Sequence, residues 1–314
     1  RERHHPWCPP HPSPRWLPKR PNGPKQKGRR CPSLKNLNKG SCVPTEAAAA
    51  PALDFAAFLA SHAPHQTALV QRYQWQGHSL WLKRAGPAHP AWRYRALAWV
   101  SHWLQVPALQ PVPNPGGVQA IATEVQRLQT LAACGLRVPA VVAVSKQAFV
   151  MRDLGQAGQP VQSLGQALEQ AGTAAATLAL WQRGLQALAQ VHGQGQCLSQ
   201  AFARNMVLCA DGGIGLIDFE DDPAAHLPLP LCQVRDVLCY VHSTAWILAR
   251  VQALPQAQVA WQQALAQWSP PLQQALAATQ QRLGLLGKLP RSRRLGRDAL
   301  RLRMAWTLLA GNNV

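Results

Sequence analysis

An asparagine and an aspartate bracket the stretch NMVLCADGGIGLIDFE, residues 205–220. Two short apolar runs, Met206–Leu208 and Ile214–Ile217, flank Ala210-Asp211-Gly212-Gly213, which predicts a β-hairpin. Asn205 then stands before the first strand and Asp218 follows the second. Ile214, Leu216 and Ile217 would anchor the second strand in apolar core, so an acid directly after them is unusual for burial alone. Both side chains offer hard oxygen. A small divalent cation such as Mg2+ takes one or two such ligands from a protein and the rest from phosphates and water. The chemistry this spacing suggests is magnesium-assisted phosphoryl transfer. The plainer alternatives are a turn-capping aspartate and a loop asparagine.

The elements that must position this pair can be read along the chain. Helical patterning starts near Leu53 in LDFAAFLASHA. Strand-like runs at Thr67–Trp75 and Ser79–Arg84 surround Gln76-Gly77-His78, a hairpin signal that sets Lys83 on a strand. Asn114-Pro115-Gly116-Gly117 marks a loop, and a helix over Val118–Cys134 carries Glu124 and stops at Gly135. Val138–Val144 and Gln147–Met151 read as two further strands around Ser145-Lys146. Beyond Leu164 the chain is mainly helical apart from the small hairpin. Strands first and helices later argue against a Rossmann sheet, which alternates them throughout.

In order and spacing these residues resemble the protein-kinase-like superfamily, and within it the bacterial kinases of lipopolysaccharide core (Kdo/heptose) sugars. The likeness spans about residues 67–250. It implies an α+β, two-lobed protein-kinase-like fold, with a small antiparallel sheet lobe and a larger helical lobe. It implies ATP and Mg2+ as cofactors, with Asn205 and Asp218 as metal ligands. Lys83 in SLWLKRAG matches the phosphate-binding lysine, and Glu124 in IATEVQRLQTLAACGLRVPAVV its pairing acid. Phe149–Gly155 (FVMRDLG), with Met151, matches the strand and hinge lining an adenine pocket. Asp236 in QVRDVLCY matches a helical aspartate that braces the catalytic loop, and His192 is read as structural.

The chain also departs from the family. The catalytic aspartate belongs five residues before the metal asparagine, where Gln200 stands in CLSQAFARN. An amide cannot accept the substrate proton as a carboxylate does, although it can orient a hydroxyl. Arg204, beside Asn205, is placed to touch a phosphate. The glycine-rich loop is reduced to Gly77, and the insert between Lys83 and Glu124 is long. Two functions follow. One is an ATP-dependent phosphotransferase acting on the hydroxyl of a sugar-lipid or similar acceptor. The other is a pseudokinase that binds nucleotide or protein without turnover.

Composition bounds the rest. The 314 residues carry a formal net charge of +19, concentrated at the ends. Residues 1–45 hold eleven Lys/Arg against Glu2, and residues 288–303 hold seven against Asp298. Nothing in the pattern shows basic residues interleaved with stacking aromatics on a sheet, and the positive charge flanks the domain, so a nucleic-acid partner is not expected. Anionic membrane is a candidate peripheral partner for the basic C-terminal run and for the Trp-rich segment 89–109. Both also read as helices of the domain itself. No apolar run of 18 residues predicts a spanning helix, and no apolar stretch before Ala47 suggests a signal peptide. Eight cysteines without CxxC spacing read as reduced thiols, in keeping with a cytoplasmic protein. The expected organisation is a disordered basic, Pro-rich tail over 1–45, a sheet lobe over 46–155 and a helical lobe over 156–314.

Overall fold

Alternation along two strands builds the wall of the site. The computed structural model describes residues 53–87, 106–155, 161–198, 200–284 and 296–311. Helix α1 (Phe55–His62) is followed by strands β1 (Val70–Trp75) and β2 (His78–Arg84). The turn between the strands is Gln76-Gly77, and both residues have positive φ, at 46° and 79°. Such a two-residue turn matches the twist of a hairpin. Helix α2 (Gly117–Ala133) leads into β3 (Val141–Val144) and β4 (Ala148–Arg152). The four strands form an antiparallel sheet in the order β1-β2-β4-β3.

The sheet has two chemically different faces, because side chains alternate with period two. Leu80, Leu82, Ala148 and Val150 are buried with Phe58 and Leu59 of α1. The opposite face carries Trp81 and Lys83 on β2 and Phe149 and Met151 on β4. Lys83 is paired with Phe149 in the register, and Trp81 with Met151. This second face looks toward α2 and the helical part of the chain.

The helical part begins with a second sheet, ordered β5-β6-β7, made of β5 (Gln162–Ser163), β6 (Met206–Leu208) and β7 (Ile214–Leu216). Helix α3 (Leu164–Gln170) opens with a capping box in which Ser163 and Gln166 satisfy each other's backbone. Then come α4 (Ala174–Gly193), α5 (Leu229–Arg250), α6 (Leu254–Leu265), α7 (Pro270–Leu283) and α8 (Gly296–Ala310). Trp181 and Tyr240 are fully buried between α4 and α5. Tyr240 donates to the Trp181 carbonyl (2.5 Å), and Trp181 Nε1 donates to Thr244 (3.1 Å).

The architecture is thus α+β, with a small antiparallel sheet lobe and a larger helical one, as expected. Strand starts differ from expectation for local reasons. Residues 67–69 are not strand, because Gln66 is buried and its amide donates to the carbonyls of Ala68 (2.7 Å) and Leu82 (3.2 Å). Strand β3 starts at Val141 rather than Val138, after Pro139, which has no N–H to give a ladder. Strand β7 stops at Leu216, because Asp218 turns left-handed (φ 71°). The expected 89–109 helix falls largely outside the described residues, which resume at Val106 with a short turn over Pro107–Leu109. The N-terminal tail lies outside them altogether. Helix α8, from the basic run, buries Ala305, Leu308 and Leu309 and packs on α5. Among the described residues no helix is long and apolar enough to cross a membrane.

Candidate active site

Residues distant in sequence meet where the cleft-facing side of the larger sheet approaches the β6–β7 hairpin. Lys83 reaches out from β2. Its ammonium lies 2.7 Å from Glu124, 2.8 Å from Glu220 and 3.3 Å from Asp218. Glu124 reaches it because it sits on the buried stripe of α2, beside Ile121, Val125 and Leu128 at helical spacing. The Glu124 side chain is 2% exposed, whereas those of Asp218 and Glu220 are 37% and 35% exposed. Burial alone would lower the lysine pKa. Glu124, then Asp218 and Glu220, more than reverse this and hold it above its ordinary value. Burial also pushes the Glu124 carboxyl up, and Lys83 pulls it back.

The hairpin brings Asn205 and Asp218 to one end. Met206 pairs with Leu216, and the Ile217 N–H donates to the Asn205 carbonyl at 3.0 Å. Asp218 is therefore one residue beyond the partner of Asn205. Asn205 is buried, and its side-chain nitrogen donates to the Gln200 carbonyl at 3.0 Å. That bond commits the amide nitrogen to the loop and leaves the amide oxygen as the acceptor. The left-handed backbone at Asp218 is costly for a residue with a side chain, and such outliers concentrate at functional sites.

The remaining sequence-singled residues divide in two. Met151 lines the same cleft as Lys83, Glu124, Asn205 and Asp218, a cavity of about 500 Å³. Gln200 and Asp236 do not line it. Gln200 gives its carbonyl to Asn205 and to the Phe202 N–H (2.7 Å). Asp236, fully buried on α5, accepts from the Leu198 N–H at 2.7 Å and faces His192 Nε2 at 3.1 Å. It ties the loop before Gln200 to the helix beneath. Burial raises its carboxyl pKa, against the opposing pull of His192 and the Leu198 N–H.

Other contributors had no obvious mark in the sequence. Trp81 faces the cleft because it lies two residues before Lys83 on β2. Arg127, one turn beyond Glu124 on α2, donates to the Cys197 carbonyl and lies 3.8 Å from Asp222. It links α2 to both ends of the loop-and-hairpin segment. Arg72 closes on Asp153 at 2.6 Å, fixing the segment after β4. The second contact of Lys83, to Glu220, spans too much sequence for any local pattern to report.

The cleft therefore has an apolar end, with Trp81, Met151 and Val207, and a charged end, with Lys83, Asn205 and Asp218. Apolar walls suit a flat ring, and the charged end suits a phosphate chain with a cation. Among the described residues no group of three or more His, Cys, Asp or Glu is placed to hold a metal ion. A two-ligand oxygen set still fits magnesium, which keeps waters and phosphate oxygens as further ligands. No curated protein matches the chain. Residues 118–222 match the family model of the RIO domain, a protein-kinase-like family, and this segment carries Glu124, Met151, Gln200, Asn205 and Asp218. That match, with the lobed α+β architecture just described, is in keeping with a protein-kinase-like fold.

Proposed function

We propose that the protein binds ATP with magnesium and transfers a phosphoryl group to a hydroxyl, with a lipopolysaccharide core sugar as the acceptor class. The single observation that carries the first part is the buried Lys83–Glu124 pair, 2.7 Å apart, in one cleft with Asn205 and Asp218. In this reading Lys83 holds phosphate oxygens and Glu124 holds Lys83. Asn205 and Asp218 hold the metal through oxygen, and Met151 lines the base end. Asp236 fixes the loop on which Gln200 would orient the acceptor hydroxyl. ATP with its magnesium ion supplies the transferable phosphoryl group. The sugar acceptor rests on the likeness of Asp218-Phe219-Glu220 and of the Glu124–Val142 stretch to bacterial kinases of lipopolysaccharide core sugars, a likeness shared with those that phosphorylate antibiotics and other small molecules. The proposed location is the cytoplasm. A sugar-lipid acceptor would be met at a membrane surface, facing the basic sequence over 288–303.

A second reading, a nucleotide-binding pseudokinase, is favoured by two specific features. Gln200 supplies no general base, and Glu220 lies 2.8 Å from the lysine that phosphates would need. Calorimetric titration of Mg2+·ATP into the wild-type chain and its Asp218→Ala variant, followed by a turnover assay, separates the readings. Binding that falls at least tenfold in Asp218→Ala, with turnover in the wild type, supports the phosphotransferase. Binding without turnover supports the pseudokinase. Failure of the wild type to bind ATP would sink both.

A further inference from the structure

The charge balance around Lys83 leaves the cleft short of free positive charge. Its ammonium is already matched by Glu124, Glu220 and Asp218. Arg152 lines the cleft too, but its guanidinium lies over the Phe55 ring of α1 (5.4 Å) and beside His78, on the other face of the sheet. Arg72 is paired with Asp153. One more cation lines the cavity, Arg204, immediately before Asn205. It is exposed, and its guanidinium stacks 4.2 Å over the ring of Phe202. Among the described residues it has no carboxylate partner.

Resting on the ATP-binding reading above, the geometry points to Arg204 as the phosphate-gripping cation of the helical lobe, in the same cleft as Lys83. A phosphate chain brings several negative charges to a wall already rich in carboxylates. Lys83 alone cannot offset them while it holds Glu124. Arginine suits the task, since its planar fork can donate two parallel hydrogen bonds to one phosphate. The Phe202 ring stacks against the guanidinium without consuming its donors, which lowers the ordering cost on binding. The arrangement also compensates for the near absence of glycines in the β1–β2 turn. That turn offers only Gly77 where a phosphate cradle of backbone N–H groups would need several.

The test is a ladder of ligands, adenosine, AMP, ADP and ATP, each titrated with Mg2+ into wild type, Arg204→Ala and Arg204→Lys. Arg204→Ala is expected to weaken ATP about ten- to a hundredfold and to leave adenosine within about twofold, so that the gain from added phosphates shrinks. Arg204→Lys, a point charge without the fork, should fall between. Equal losses for adenosine and ATP, or an unchanged ATP affinity in Arg204→Ala, would overturn the assignment and leave the ATP-binding reading standing. A wild type that binds none of the four overturns both.

Discussion

The lysine at the centre of the site carries more acid than one ammonium needs. A buried ion pair is retained only when its geometry offsets the desolvation of both charges. Lys83 and Glu124 meet that condition at 2.7 Å, with side chains 11% and 2% exposed. Replacing Lys83 by Met leaves Glu124, only 2% exposed, without its counter-charge. Loss of stability of about 3–5 kcal/mol is expected, read as a lowered denaturant midpoint. Converting Glu124 to Leu as well should recover most of that loss, because the stranded charge is gone. If the double variant is as unstable as the single one, the lysine acts through packing and not through charge. Asp218 and Glu220, being more than a third exposed, can stay hydrated when Lys83 is removed, so the penalty belongs to Glu124. At this scale the sequence was partly legible. Lys83, Glu124, Asn205 and Asp218 stand in a recognisable order, and all four line one cleft. The Glu220 contact and the Arg204–Phe202 stack were not legible, since neither leaves a periodic trace.

Elements explain why those residues meet. The hairpin strands were readable because their turns carry their own chemistry. Gly77 and Gly212 sit at positive φ, where a side chain is disfavoured. Helix α2 was readable from its apolar stripe and from Gly135, left-handed at φ 73° just past its end. Strand β5 was invisible, since two residues cannot display an alternation. The closeness of α4 to α5 was also hidden, and it depends on one glycine. A Cβ on Gly184 would collide with the Tyr240 hydroxyl, and would lie 2.5 Å from a Leu164 methyl. Ordinarily Gly→Ala inside a helix stabilises by about 1 kcal/mol. Here the collision should reverse the sign, with Gly184→Ala costing about 1–3 kcal/mol. A lower melting temperature for the variant would bear this out, and a higher one would show that Tyr240 can move aside. Because Tyr240 belongs to the same helix as Asp236, the strain should also loosen the loop at Leu198.

On the scale of the whole molecule, lobe order was legible because strand-rich and helix-rich stretches are segregated along the chain. How the last helix closes the helical lobe was not, since its basic residues read most simply as a solvated face. Helix α8 packs against α5, and His242 on α5 lies within the field of Arg301 and Asp298 on α8. Burial first, and Arg301 second, lower the His242 pKa from its ordinary 6.5, with Asp298 opposing. The direction of the pH effect follows from linkage. Above the unfolded value near 6.5, the imidazole is neutral in both states and costs nothing. As pH falls below it, the unfolded chain takes up the proton first, so folding loses free energy until the folded pKa is also passed. Wild type should therefore lose melting temperature between about pH 7 and pH 5 more steeply than His242→Gln. Both chains share every other carboxylate and histidine, so the difference between their curves isolates this group. Parallel curves would mean that the imidazole stays hydrated at the α5–α8 seam and that the packing of α8 does not respond to protons. A steeper fall in His242→Gln would mean that Asp298 dominates Arg301 and that the seam favours the charged ring.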